Sequence, residues 1–277
     1  MIYEKIHFSE KYPNATLTLF VPDFQKRDNY VASMPAILIC PGGGYGNLSN
    51  REGEPIALAY LARGFAAFVL SYDVKEGALF PTPLAEAALA MKYIRERATE
   101  LAIDPSAVYV SGFSAGGHLA ASLGTLWSSA LVREATGVED PSIFRPTGMI
   151  LGYAVVSGIS SPHSGSFKRI CGSEEPTDEQ KRRYSAELNV SGDTCPAFIW
   201  HTFNDAVVPV QNALVMASAM TEAGIPFELH IYPDGCHGLA LANEMTANGL
   251  ERRIRPEAEG WLEMSADWMK RTARRAE

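Results

Sequence analysis

The stretch Ala107-Val108-Tyr109-Val110-Ser111-Gly112-Phe113-Ser114-Ala115-Gly116-Gly117-His118-Leu119 decides how the rest of this chain is read. Its first four residues are apolar, with two valines among them, and predict a short buried strand. Gly112 to Gly116 then spell G-x-S-x-G, and Ala115 to Leu123 reads as a helix. Strand, sharp turn and helix in that order are the setting that gives the pattern chemical meaning. The turn strains the serine backbone and lifts its hydroxyl above the sheet, while small neighbours let strand and helix approach closely. A glycine-rich turn without chemistry is the plain alternative, and the bare five-residue pattern does not exclude it.

Outward from this point, strands and helices alternate. Ala36 to Cys40 is an apolar run that ends at Pro41-Gly42-Gly43-Gly44-Tyr45. Glu54 to Arg63 reads as a helix closed by Gly64, and Phe65 to Tyr72 as a strand. Pro83 to Arg97 is alanine-rich and helical, with proline near its start. Downstream, Gly148 to Val156, Ala197 to His201 and Phe227 to Tyr232 read as strands, and Val210 to Ala223 as a helix closed by Gly224. Glu257 to Arg275 reads as a final amphipathic helix with a basic last turn, which suits the helix dipole. At the front, Ile2 to Phe8 and Asn14 to Val21 suggest an antiparallel start, and Pro22 to Met34 is polar and turn-rich. The rhythm predicts one α/β domain over residues 1–277, built on a doubly wound, mostly parallel sheet. Ser157 to Thr194 interrupts it after the sixth strand with turn signals and one polar helix candidate, Thr177 to Glu187. Such an insertion is either a small cap or lid, or a surface excursion, and both readings stay open.

Composition narrows the partners. Of 277 residues, 47% are hydrophobic and 20% charged, a globular balance that excludes disordered and fibrous classes. The formal charge of −8 argues against a nucleic-acid backbone or an anionic membrane surface, both of which need a basic footprint. Cys40, Cys171, Cys195 and Cys236 match no zinc spacing and read as isolated thiols, as a reducing compartment favours. Met1 to His7 holds no apolar signal-peptide core, and the apolar runs are far shorter than a membrane span. The expectation is a cytoplasmic protein whose oligomeric state is open, a homodimer included.

A serine hydroxyl needs a base to become a nucleophile, and the base needs an orienting carboxylate. In the strand–turn–helix setting the chain order is serine, acid, histidine. Of six histidines, His163, His201, His230 and His237 follow Ser114 outside its helix. His230 lies within a strand, His201 at a strand end and His163 in the insertion. His237 follows the last strand in Pro233-Asp234-Gly235-Cys236-His237-Gly238, a loop at the carboxyl end of the sheet, and is the expected base. His118 is expected to support helix packing. Asp205 follows the strand Ala197 to His201 and is the expected acid, with Asp193 and Asp234 as weaker rivals. A turn or N-cap aspartate is the plain alternative for Asp205.

Acyl transfer builds negative charge on an oxygen, which backbone N–H groups must meet. The turn supplies Ala115. Gly42-Gly43-Gly44 follows the first central strand, and glycines let a loop turn its amides into a cavity.

Taken together these segments resemble the α/β-hydrolases, and more narrowly the esterase/lipase branch with an H-G-G-G-type oxyanion loop and a G-x-S-A-G-G-H-L elbow. Gly112 to Leu119 matches that elbow, and Pro41 to Tyr45 matches the loop except that Pro41 stands where many members have histidine. His201 to Pro209 resembles the acid loop and Asp234 to Gly238 the base loop. The proline variant is similar to small bacterial acetylesterase-like, sugar-ester hydrolases. The resemblance implies a serine ester hydrolase for short acyl esters, acetyl esters of sugars or acetylated oligosaccharides among them, working through an acyl-enzyme. It implies Ser114, Asp205 and His237 as catalytic residues, with Gly43, Gly44 and Ala115 as oxyanion donors, the choice between the two glycines being open. No metal and no organic cofactor is expected.

Other readings remain. An amidase or peptidase of the same fold is the nearest. A dienelactone-type hydrolase would carry cysteine where Ser114 stands. A non-catalytic binding module would leave the three side chains idle. A metal-dependent deacetylase lacks its ligand pattern here, since HExxH is absent.

Overall fold

Two short antiparallel strands lead the chain, β1 (Ile2–Ile6) and β2 (Thr16–Val21). Six more follow: β3 (Met34–Cys40), β4 (Ala66–Ser71), β5 (Ile103–Phe113), β6 (Met149–Gly152), β7 (Ala197–Thr202) and β8 (Phe227–Tyr232). The computed structural model describes residues 1–23 and 33–273, so most of the turn-rich Pro22–Met34 stretch lies outside the described residues. The strands form one sheet in the order β1-β2-β4-β3-β5-β6-β7-β8. The pairings β1–β2 and β2–β4 are antiparallel and the rest are parallel. The winding direction reverses between β3 and β5. In open α/β sheets the crevice outside the carboxyl ends of strands at such a switch point is where ligands bind. The glycine loop leaves β3 there, and the Ser114 turn leaves β5.

Helices cover both faces: α1 (Glu54–Leu61), α2 (Thr82–Glu96), α3 (Ala115–Leu126), α4 (Ala130–Thr136), α5 (Ser164–Cys171), α6 (Asp178–Tyr184), α7 (Gln211–Glu222), α8 (Glu244–Ala247), α9 (Pro256–Glu259) and α10 (Trp261–Ala273). The strand period of two divides the core. Ala36, Leu38 and Cys40 of β3 share one core cluster with residues of α2, α3 and α7, while Ile37 and Ile39 share the other with residues of α1 and α10. Because both faces are buried, the central strands read as unbroken apolar runs. None of the described helices is long and apolar enough to cross a membrane.

Some boundaries differ from expectation. β5 begins at Ile103 rather than Ala107, because Asp104-Pro105-Ser106 bulges out between the pairs Met34–Ile103 and Ala36–Val108. β6 stops at Gly152, since the chain leaves the sheet at Tyr153 and Val155 N–H donates to Ser114 O at 3.0 Å. The expected last helix is split at Gly260 into α9 and α10, and residues 274 and 275 lie outside the described residues. In the insertion, the expected helix shortens to α6, held by a Thr177–Gln180 capping box, and α5 appears beside it. Phe167 and Ile170 of α5 are fully buried against the core.

The turn at Ser114 explains its glycines. A Cβ on Gly116 would lie 2.0 Å from Cys40 O, and one on Gly112 would lie 2.0 Å from Gly116 O. Both obstacles are backbone, which cannot rotate away. Gly116→Ala is therefore expected to cost at least the ~1–3 kcal/mol of overpacking, a fall in Tm of at least roughly 2–5 °C. Gly192→Ala, whose Cβ meets open space, should leave Tm nearly unchanged in the same thermal scans. Equal Tm values for the two variants would show that α3 can retreat from β3.

Candidate active site

Ser114 sits between β5 and α3 with φ 53° and ψ −120°, a conformation that an L side chain adopts only when its surroundings force it. Its N–H donates to Gly152 O at 3.1 Å, and its carbonyl accepts from His118 N–H at 3.1 Å. The strain aims Oγ out of the sheet's carboxyl end. His237, in the loop after β8, places Nε2 2.8 Å from that Oγ. Its Nδ1 lies 2.7 Å from Asp205 Oδ2. The Tyr153 ring stands edge-on to the imidazole, centroids 5.1 Å apart, and limits its swing. Three expected residues from β5, β7 and β8 are thus brought into one hydrogen-bonded line.

Asp205 does more than face His237. Its Oδ1 accepts the Val207 and Val208 N–H groups at 2.9 and 3.0 Å, so it is a turn-forming aspartate and a histidine partner at once. Burial opposes its ionisation. The imidazoles of His201 and His237 and the Val207 amide outweigh burial and hold the carboxyl well below the usual carboxylate range. Its rivals are elsewhere: Asp234 is exposed and paired with Arg255, and Asp193 is exposed.

The other histidines have separate tasks. His201 is fully buried, with Nε2 donating to Val208 O at 2.8 Å. His230 lies on β8 against Phe198 and Glu228. His163 caps α5 and reaches the pocket, its Cε1 3.5 Å from where a Cβ on Gly44 would lie. His118 packs, as expected, but also connects. Its Nε2 donates to Tyr184 O at 2.7 Å and its Nδ1 accepts from Tyr45 OH at 2.9 Å, joining the glycine loop to α3 and α6.

Gly43 (φ 127°) and Gly44 (φ 62°) turn the loop back on itself, and Gly43 O accepts from the Gly46 and Asn47 N–H groups. A Cβ on Gly43 would meet Asn47 O at 2.0 Å. Both glycines border the pocket that holds Ser114 and His237, a cavity of about 370 Å³. The Ala115 amide, in the first turn of α3, has no partner within its own helix. A larger cleft of about 760 Å³ lined by Arg95, Trp268 and Arg271 holds none of these groups. Among the described residues no cluster of three or more His, Cys, Asp or Glu side chains could hold a metal ion.

Sequence reasoning passed over Glu52. Its carboxylate is buried, accepting Gly42 N–H at 2.9 Å and Tyr153 OH at 2.7 Å. Tyr153 OH in turn accepts Ala240 N–H at 3.0 Å. A lone glutamate in an aperiodic loop gives no sign of this. Arg51 and Arg253, in equally aperiodic stretches, and Arg169 on α5 also border the pocket and were missed.

Comparison with known proteins gives the family. The family model BD-FAE matches residues 23–220. The chain belongs to the BD-FAE family. An acetyl ester-xyloside bifunctional hydrolase from Caldicellulosiruptor lactoaceticus, solved as a crystal structure, is 36% identical with a TM-score of 0.78, covering 93% of this chain and 88% of that one. An endo-1,4-beta-xylanase B of Butyrivibrio fibrisolvens is 36% identical over 83% of this chain, and an acetylxylan esterase of Xylanibacter ruminicola is 34% identical over 74%. The chain spans only 36% and 41% of those two curated relatives. The fold is that of the α/β-hydrolases.

Burial pushes the His118 imidazole down to about 4, against a weaker opposing effect of the Tyr184 carbonyl. Folded His118 is therefore neutral where the unfolded residue, near ~6.5, gains a proton. The stability it contributes is fully present above that unfolded value and is lost as pH falls toward about 4. His118→Gln keeps a donor and an acceptor but cannot titrate. In urea titrations the wild-type advantage over His118→Gln is expected to shrink as pH drops from about 7 to about 4. An advantage constant across that window would mean His118 is not held neutral.

Proposed function

We propose that this chain is a serine carboxylic-ester hydrolase acting on short acyl esters, with acetyl esters of sugars as the leading class. The observation that carries the reading is the line Asp205–His237–Ser114, closed by hydrogen bonds of 2.7 and 2.8 Å and ending on a serine at a strained turn. The acetylxylan esterase and acetyl ester-xyloside hydrolase among its relatives support the acyl group and the sugar.

In the proposed reaction Ser114 Oγ attacks the ester carbonyl as His237 Nε2 takes its proton. His237 Nδ1–H donates to ionised Asp205, which fixes the tautomer and stabilises the imidazolium. The carbonyl oxygen becomes an oxyanion facing the amides of Ala115 and of Gly43 or Gly44, which need not reorganise to receive it. His237 then gives its proton to the leaving alcohol, and an acyl-Ser114 remains. Water, deprotonated by the same imidazole, releases the acid.

Ser114→Ala is expected to abolish turnover of p-nitrophenyl acetate and labelling by an organophosphonate. Asp205→Asn should lower kcat by roughly 10³–10⁴-fold with a small change in KM. Rates over p-nitrophenyl esters should fall from acetate to octanoate, with release of acetate from acetylated xylan oligomers. Full activity in Ser114→Ala would sink the mechanism, and a preference for octanoate would sink the substrate class.

A further inference from the structure

Arg51, Arg169 and Arg253 all border the Ser114 pocket. Among the described residues none of the three forms an ion pair with a carboxylate. This is unexpected in a chain of formal charge −8. Arg63, Arg97, Arg255 and Arg271 each find an acid. Glu52 borders the same pocket and its charge favours charged Arg253, which offsets part of theirs, but its oxygens bond Gly42 N–H and Tyr153 OH rather than a guanidinium.

Backbone carbonyls anchor the three guanidiniums instead. Arg51 Nη1 donates to Gly238 O at 2.8 Å and Thr246 O at 3.1 Å, beside the His237 loop. Arg253 Nη1 reaches Ala247 O at 3.3 Å, while its Nε is buried without a partner. Arg169 Nη1 donates to Gly44 O and Gly165 O, both at 3.0 Å, beside the glycine loop. Carbonyls orient a guanidinium but do not cancel its charge, and each guanidinium keeps N–H donors to spare. Arg51 and Arg253 also repel one another. Burial first, and the Arg51 charge next, pull Arg253 below the ordinary arginine value. A planar anion meets both needs, since a carboxylate accepts two parallel N–H bonds.

We propose that the ester taken by this site carries a carboxylate, received by Arg253 together with Arg51. The inference rests on the esterase reading above and adds the charge of the substrate to it. The carboxylate can sit on the acyl side of the ester or on the sugar as a uronic acid, and paired substrates separate the two sources. On the acyl side the pair is the p-nitrophenyl monoester of glutaric acid against p-nitrophenyl hexanoate. On the alcohol side it is acetylated methyl glucuronoside against acetylated methyl glucoside.

The quantity to read is the ratio of kcat/KM for anionic over neutral ester, taken within each protein so that a general loss of activity cancels. In the wild type one pair is expected to give a ratio of roughly tenfold or more, the worth of a charge-assisted hydrogen bond. The ratio should fall toward one in Arg253→Gln, fall below one in Arg253→Glu, and shrink as salt rises from about 0.05 to 0.5 M. Wild-type ratios near one for both pairs, or a ratio unmoved by Arg253→Glu, overturn the proposal. A ratio lost in Arg169→Gln but kept in Arg253→Gln overturns the assignment to Arg253 and Arg51. Should no ester turn over, the esterase reading fails by itself. Calorimetric titration of glutarate and glucuronate then judges the anion site: saturable binding to wild type that Arg253→Glu abolishes upholds it, and no binding overturns it.

Discussion

The top of this molecule depends on how closely α3 can approach the carboxyl end of β3. Gly116 lies where even one carbon would collide with Cys40 O, and that contact brings the Ser114 turn and the glycine loop to the same crevice. The approach forces Ser114 to φ 53°, a strain of order 1–3 kcal/mol. The neighbourhood answers with three backbone hydrogen bonds on that one residue, from Gly152 O, His118 N–H and Val155 N–H. The early departure of the chain from β6 supplies the last of these. The same exit gives Tyr153 its position, so the geometry that strains the serine also places the ring that confines His237.

A second constraint links loops that are far apart in the chain. Glu52 grips the amide of Gly42, and through the Tyr153 hydroxyl it reaches the amide of Ala240, three residues past His237. Trp261 of α10 donates to Ala240 O at 2.9 Å from the other side. Each member of this chain of hydrogen bonds is buried, and removing one leaves its partners unsatisfied in a low-dielectric interior, where the penalty is greatest. The glycine loop and the histidine loop are therefore set relative to each other by a carboxylate that touches neither Ser114 Oγ nor His237. His118 does the equivalent on the opposite side, tying Tyr45 to Tyr184.

What the sequence made legible followed from rules with a fixed period or order. Apolar runs of strand length, glycines closing helices, and the order serine, aspartate, histidine marked out the sheet and brought Ser114, Asp205 and His237 to notice. What it hid depends on contacts between distant segments. The Asp104–Ser106 bulge looks like a turn in sequence, and only the pairing of Ile103 with Met34 makes it part of β5. The exit at Tyr153 is invisible because Tyr153 to Val156 is as apolar as the strand before it. Gly260 breaks the last helix although the amphipathic pattern runs on. Glu52, Arg51 and Arg253 are surface-type residues in aperiodic stretches and Arg169 is one of two basic residues on a polar insertion helix, so nothing in their local sequence separates them from solvated charges.

Electrostatics couples these features. Asp205 is held ionised against the cost of its own burial, because two imidazoles and a backbone amide favour the charge more than burial opposes it. His163, on the opposite wall, is pushed the other way, by burial first and then by the nearby His237 and Arg169 charges. The pocket that holds His237 is also bordered by the guanidiniums of Arg51, Arg169 and Arg253 and by the Glu52 carboxylate. In the proposed reaction a substrate carboxylate seated on Arg51 and Arg253 would cancel part of that positive field. On that proposal the charge that attracts an anionic substrate is also the charge that its arrival neutralises.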